Sequence, residues 1–341
     1  MRFTLSVFLL ALPLAAWAQS PLTEAEAVRL GLARSDLADL ELGMVRAAEA
    51  DVLAAGQLPN PTLSYNRDRL GGSSDTIEQS WMLSQAFDLS GKRKLRREAA
   101  ERRVDIANAG NATRRSERAA EIRGVFQDAL FRREAIQVTE TWAQRFVRVE
   151  SRVAKLARAG EASGYDRRRL ARERQAVEAR LATERAELGR ILARLATLTG
   201  MPQDPIVSGD LLPPSLPAIE TALNRLEQRP DLRALSLAAL AADLDGRAAK
   251  QGAIPDLTVG VGPKWVDSGQ GGGISRDSGF ALSLSIPLPV FDRQQSGRQR
   301  AAAEAMQARA AYRLAHTRAE GELRGLHRQA EALRATASEY R

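Results

Sequence analysis

Apolar positions recur three or four residues apart along most of this chain, and twice that period gives way to strict alternation. From Thr23 to Gln57 the pattern is helical, with Thr23 and Glu26 in the spacing of a capping box and Gly56 and Pro59 closing it. Pro59 and Pro61 forbid helix and set an extended entry. Two alternating runs follow. Leu63, Tyr65 and Arg67 share one side; after the turn formers DRLGGSSD, Ile77, Gln79, Trp81, Leu83 and Phe87 alternate with Glu78, Ser80, Met82 and Ser84. Period-two alternation between Gly- and Ser-rich segments predicts a β-hairpin over about 61–87.

Helical periodicity then returns at length. No proline interrupts 91–158, which predicts a helix of about 100 Å at 1.5 Å per residue. AGEASGYD at 159–166 breaks it, and a second helix is expected over 165–199. Arg174, Leu181, Leu188 and Leu195 mark one seam of a heptad repeat; Leu170, Val177, Glu184, Ile191 and Leu198 mark the other. The two helices are expected to pair as an antiparallel hairpin.

Residues 201–230 are proline-rich and read as a connector, after which the pattern restarts. Asp231 and Leu232 echo Asp36 and Leu37. At an offset of 194, Ala47, Ala48, Asp51, Ala54, Ala55, Gln57, Pro61 and Leu63 meet identical residues, ending in Pro255 and Leu257. A second hairpin is expected over about 255–287, with a long helix from about 296 to the end. One unit of helix, hairpin and long helix is thus written twice, over 19–200 and 231–341, giving a mostly α fold with β-hairpins.

Composition sharpens this picture. Aromatics are only 5 % and charged residues 27 % of 341 residues, which suits long helices better than a thick core. The net charge of +8 is compatible with an anionic partner, but Arg and Glu interleave as on a solvated helix flank, and no aromatic platform for nucleic acid accompanies them. Residues 1–18 have a basic start, an apolar run and small residues at Ala16 and Ala18, the pattern of an export signal. With no cysteine, disulfides and thiolate metal sites are excluded.

The hairpins carry the functional information. Each strand sets apolar side chains on one face and small or polar ones on the other. That suits a half-buried sheet or membrane strands facing lipid and lumen. Export without a spanning apolar helix favours the second reading. The lipid-facing positions are then Leu63, Tyr65, Ile77, Trp81, Leu83, Leu257, Val259, Val261, Trp265, Phe280, Leu282, Leu284 and Ile286. Four strands cannot close a barrel, so several chains must share one.

Chemistry of other kinds finds little support. The two histidines, His316 and His327, fall about 16 Å apart on a helix, too far to share a metal. The glycine spacings in GVGPKW and GQGGGIS open no helix, so they read as loop glycines rather than phosphate cradles. Neither an enzyme nor a cofactor is expected.

In its duplicated unit, in LPNPTLSY and IPDLTVGV entering a hairpin, and in FDLSGKRKLRREAA and IPLPVFDRQQSGRQRAAAEA leaving one, the chain resembles the TolC family of outer-membrane efflux channels. QAFDLSGKRKLRR looks most like the cobalt-zinc-cadmium branch. The resemblance implies a homotrimer in the outer membrane, helices in the periplasm, and a passive exit path for heavy-metal cations. It also implies docking to a periplasmic adaptor (membrane fusion) protein and an inner-membrane resistance-nodulation-division pump. The family's hairpin tip maps onto Arg158, Gly160, Glu161, Ser163, Gly164, Tyr165 and Asp166. By repeat symmetry the last helix should reach a second tip near residue 362, so the chain is expected to be C-terminally truncated. The rival is a periplasmic coiled-coil adaptor, which has no use for two amphipathic hairpins.

Overall fold

Proline, glycine and capping side chains set most of the element boundaries. The computed structural model describes residues 21–71, 75–161, 163–211, 215–270 and 273–339; the export signal expected at 1–18 lies outside them. The order is α1 (Glu24–Leu32), α2 (Ser35–Gly56), β1 (Thr62–Leu70), β2 (Asp75–Phe87), α3 (Lys92–Arg158), α4 (Gly164–Thr199), α5 (Ile219–Asn224), a 3-10 turn (Leu226–Gln228), α6 (Pro230–Gln251), β3 (Leu257–Gln270), β4 (Gly273–Ser285) and α7 (Gln295–Glu339). The segment read as one helix over 23–57 is two. Thr23 caps the first, accepting from the Glu26 amide at 3.3 Å, but Glu26 turns to Arg29 instead of completing the box.

The chain divides into two compact units, one of residues up to Leu37 with Arg115–Pro214, the other of Ala38–Arg114 with Ser215–Arg341. In the first unit α3 and α4 run antiparallel. Ion pairs step along them: Glu150 with Arg174 at 2.9 Å, Glu140 with Arg185 at 2.6 Å, Arg132 with Glu184 at 3.3 Å, and Glu121 with Arg194 at 2.9 Å. Arg174 and Glu184, the charged residues in the heptad seams, are therefore cross-helix partners. Such exposed pairs are worth about 0–1 kcal/mol each, so they select register more than they supply stability. Stability comes from the apolar end of the hairpin, where Ile122, Phe126, Leu130, Ile191, Leu195 and Leu198 pack with Ala27 of α1. Leu22 seals this core by a parallel bridge to Val207 in the connector.

An arginine–aspartate clasp opens each repeat. Arg34 donates to both carboxylate oxygens of Asp36 at 3.0 and 2.6 Å, just where α1 gives way to α2. Those bonds hold the Asp36 carboxyl at about 2, against the opposing effect of burial. Arg229 and Asp231 repeat the arrangement at 3.1 and 2.8 Å beside Pro230, the first residue of α6.

In the second unit all four strands form one antiparallel sheet in the order β1-β2-β3-β4, so β1 and β4 are open edges. Asp88 ends β2 and starts α3. Burial pushes its carboxyl up, but bonds from the Arg93, Ser90 and Gly91 amides and the Ser90 hydroxyl outweigh this and hold it at about 2. Asp88→Ala should therefore cost about 1–2 kcal/mol, as loss of a helix cap does. A carboxyl depressed in the folded state stabilises fully above its unfolded value, near 3.8, and loses that contribution as pH falls towards 2. Acid titration of the helical signal should show the wild type and Asp88→Ala converging over that window.

Candidate functional site

The sheet sorts its side chains by register. Across from Leu63 stand Leu83, Val261 and Leu282; across from Tyr65 stand Trp81 and, on the far strands, Pro263 and Phe280. Towards the chain ends of the strands this face continues with Gln85, Val259 and Leu284, then Phe87, Leu257 and the following Ile286. Towards the turns it becomes Arg67, Gln79, Trp265 and Ser278, then Arg69, Ile77, Asp267 and Arg276. Every strand position expected to face lipid thus lies on one face. The aliphatic rows end in an aromatic row, where Tyr65 and Trp81 pack with ring centroids 4.9 Å apart. Beyond it, Arg276 donates to both oxygens of Asp267 at 2.6 and 2.9 Å.

This apolar face is open. Phe280 is 87 % exposed, and Leu63, Leu83, Val261, Leu282 and Leu284 are all more than half exposed. A contiguous patch of this kind on a soluble monomer marks an interaction surface. Alternation of an apolar row bounded by aromatics with a polar opposite face is the signature of lipid-facing strands.

The opposite face carries Ser64, Asn66 and Asp68 on β1, Glu78, Ser80 and Ser84 on β2, Lys264 on β3 and Ser283 on β4. Lys264 and Glu78 pair there at 2.6 Å. Gly260 and Gly262 are buried on this face, inside β3 rather than in a loop. A Cβ on Gly260 would meet the Ser283 and Ser84 hydroxyls; one on Gly262 would lie 1.8 Å from the Trp81 carbonyl oxygen. The glycines let β2 and β3 approach, and the ladder between them is interrupted opposite Gly262 and Pro263, where proline has no amide to donate. The GVGP spacing held this information, because glycine inside an alternating run signals close backbone approach.

The proline entries lie outside the strands. Pro59 and Pro61 separate α2 from β1, and the Gln85 side chain donates to the Pro59 carbonyl at 2.9 Å. Pro255 separates α6 from β3. Beside it Asp256 pairs with Lys92 of α3 at 2.7 Å, a contact that spacing could not foretell because it joins the two repeats.

In the other unit, the hairpin tip is a built turn. Gly160 takes φ +82°, and the amides of Gly160 and Glu161 bond to the Ala157 and Leu156 carbonyls, a Schellman closure of α3. Ser163 caps α4 by accepting from the Tyr165 and Asp166 amides at 3.2 Å. Gly164 has ordinary helical surroundings, with no backbone close enough to demand glycine. Arg158, Glu161, Tyr165 and Asp166 are all exposed around the turn.

Among the described residues no cluster of His, Asp or Glu is arranged to hold a metal. Among the same residues, no helix is long and apolar enough to cross a membrane.

Comparison with known proteins agrees with this geometry. Residues 223–341 match the family described as outer membrane efflux protein. The chain is 29 % identical over 255 residues to the cobalt-zinc-cadmium resistance protein CzcC of Cupriavidus metallidurans, covering 72 % of this chain and 58 % of that one. It is 26 % identical to the nickel-cobalt-cadmium resistance protein NccC of Alcaligenes xylosoxydans xylosoxydans, covering 74 % and 57 %. The chain therefore spans under two thirds of the length of these relatives. Among solved structures, the outer membrane protein VceC of Vibrio cholerae superposes with a TM-score of 0.71 at 17 % identity, over 93 % of this chain and 80 % of that one. CusC superposes with a TM-score of 0.66 at 18 % identity, over 94 % and 77 %. Residues 223–341 thus match the outer membrane efflux protein family in sequence, and over 93 % of its length the chain shares the fold of VceC.

Proposed function

We propose that this chain is the outer-membrane channel subunit of a proton-driven efflux system, a passive conduit and not an enzyme. The observation that carries the reading is the four-stranded sheet with one exposed apolar face, an aromatic border and two open edges. Lipid satisfies the apolar face, and only other copies can satisfy the edges, since an unpaired edge within lipid leaves backbone groups without partners. Three copies would supply twelve strands, a size that leaves an aqueous lumen lined by the Ser, Asn, Glu and Lys face. The helices would extend into the periplasm.

Heavy-metal cations are the proposed cargo, because the relatives at 29 % and 26 % identity are metal resistance proteins. The exposed tip at Arg158, Gly160, Glu161, Ser163, Gly164, Tyr165 and Asp166 is the proposed docking site for a periplasmic adaptor, which would in turn join an inner-membrane resistance-nodulation-division pump. Tyr165→Ala combined with Glu161→Ala removes exposed groups while sparing the Ser163 cap and the Gly160 turn. Copurification with the adaptor should fall while the helical signal is unchanged.

Membrane fractionation with unheated gel migration tests the channel assignment. The expected product is a slowly migrating oligomer in the outer-membrane fraction; a soluble monomer would contradict it. A graded check compares Leu83→Lys with Asn66→Lys. Lysine on the apolar face should cost about 2–4 kcal/mol near the bilayer centre and deplete the assembled band. Lysine at Asn66, on the polar face, should leave it intact.

A further inference from the structure

The apolar stripe of β4 does not stop where the strand stops. Phe280, Leu282, Leu284 and Ile286 alternate with small residues, and Leu288 and Val290 continue that alternation beyond Ser285, the last residue of the strand. Leu288 is 80 % exposed, and Phe291, just before α7, is 92 % exposed. Large apolar side chains this open, continuous with an apolar sheet face, mark a surface that something covers.

Height says what covers it. The aromatic row at Phe280 and the end of the stripe at Ile286 are six residues apart, which is about 20 Å along a strand and about 15 Å across a membrane at a tilt near 40°. The apolar band of a membrane barrel stands about 25 Å tall. Four more extended residues make up the difference, and they end at Val290. The backbone suits that depth, where unpaired polar groups are costly. Pro287 and Pro289 have no amide to leave unpaired. The Val290 amide donates to the Leu288 carbonyl at 2.9 Å, so the chain turns where the apolar band ends.

Charge supplies an independent argument. The exposed side chains of Arg293 and Arg298 have no hydrogen-bond or ion-pair partner among the described residues. Farther along α7, Arg300 pairs with Glu304, Arg309 with Asp243 and Arg318 with Glu322, at 2.7–3.0 Å. The nearby Asp292 carboxylate accepts from the Gln294 amide at 2.8 Å. Cations at a helix start oppose the helix dipole, and α1, α2, α4, α5 and α6 each place an acid in the first turn. The two helices that leave the sheet, α3 and α7, have none there. In α3 the Arg93 and Lys94 side chains are unpaired in the same way among the described residues.

We infer that residues 287–298 are seated in the periplasm-facing leaflet of the outer membrane and select anionic phospholipid there. Leu288 and Phe291 lie in the margin of the hydrocarbon, and Arg293 and Arg298 reach the lipid phosphates. Apolar side chains beside long cationic ones suit this boundary, where the apolar parts bury and the charged ends stay among headgroups. The inference rests on the lipid-facing reading of the sheet and adds a lipid class and a binding segment to it.

A single cysteine at Leu288→Cys, labelled with a small fluorophore, tests it in the full chain, which has no cysteine of its own. Leu282→Cys is the reference within the sheet. The oligomer is reconstituted in vesicles carrying equal fractions of phosphatidylglycerol and phosphatidylcholine, with one or the other brominated on its acyl chains. Brominated lipid should quench both labels, and water-borne acrylamide should quench neither. At 288 brominated phosphatidylglycerol should quench about twofold more than brominated phosphatidylcholine. Arg293→Gln with Arg298→Gln should make the two lipids equal at 288 without changing the oligomer band. The corresponding Lys pair should restore the preference, and Arg300→Gln should leave it unchanged. If 282 is quenched by lipid but 288 only by acrylamide, the segment lies in water and this inference alone fails. If 288 is reached by neither quencher, another copy covers it and the inference again fails. Equal quenching by the two lipids in the Leu288→Cys chain overturns the anionic selection. If 282 itself is not quenched by lipid, the channel reading fails as well.

Discussion

Gly262→Val is expected to abolish the assembled form, whereas Gly279→Val in the same sheet is expected to leave it nearly unchanged. The reason is local. A Cβ on Gly262 would stand 1.8 Å from the Trp81 carbonyl oxygen and 2.8 Å from its carbon, so backbone and not a pliable side chain blocks it. Strand β2 would have to move away from β3, breaking the pairs on either side, Ser80 with Lys264 and Leu83 with Val261. Overpacking costs about 1–3 kcal/mol when side chains can yield, and more when they cannot. Nothing lies within 4 Å of a Cβ on Gly279. The comparison, read as heat-sensitive oligomer on an unheated gel, therefore separates close strand approach from a general intolerance of valine.

The second large effect belongs to the helical unit. Phe126 is 1 % exposed and packs with Ile122, Leu130 and Leu195. Truncation to alanine should cost about 3–5 kcal/mol, the range for a buried aromatic replaced by a cavity. Thermal unfolding of the helical signal should fall markedly for Phe126→Ala. Val138→Ala on the same helix, where the side chain is 70 % exposed, should show little change. If the two variants melt alike, the hairpin is held by its ion-pair ladder rather than by its apolar end.

Periodicity made much of this architecture legible. The alternation of Leu63 and Tyr65, of Trp81 and Leu83, and of Val259 and Val261 assigned them to one face, because a strand's side-chain period admits no other arrangement. The heptads of α4 likewise announced a partner helix. What was not legible depended on contacts distant in sequence. Lys92 with Asp256, and Arg103 with Asp245, join the two repeats, and no spacing rule links a residue to a partner over 140 positions away. The break at Ala33 was hidden because its clasp, Arg34 with Asp36, looks like ordinary helix-surface charge. Gly260 and Gly262 were read as loop glycines because glycine is a turn former more often than a point of strand approach. At the tip, sequence placed the turn but not the division of labour between Gly160, whose positive φ requires it, and Gly164, where the fold asks only for a helical residue.

The central claim is that one face of the sheet meets lipid and the other meets water. Single cysteines placed in turn at Phe280, Ala281, Leu282, Ser283 and Leu284 of β4 report on it directly, since the chain has no cysteine of its own. With a spin label at each site in outer-membrane vesicles, a lipid-soluble relaxing agent should act most strongly at 280, 282 and 284. A water-soluble one should act most strongly at 281 and 283. Equal access of the aqueous agent at all five positions would contradict the account.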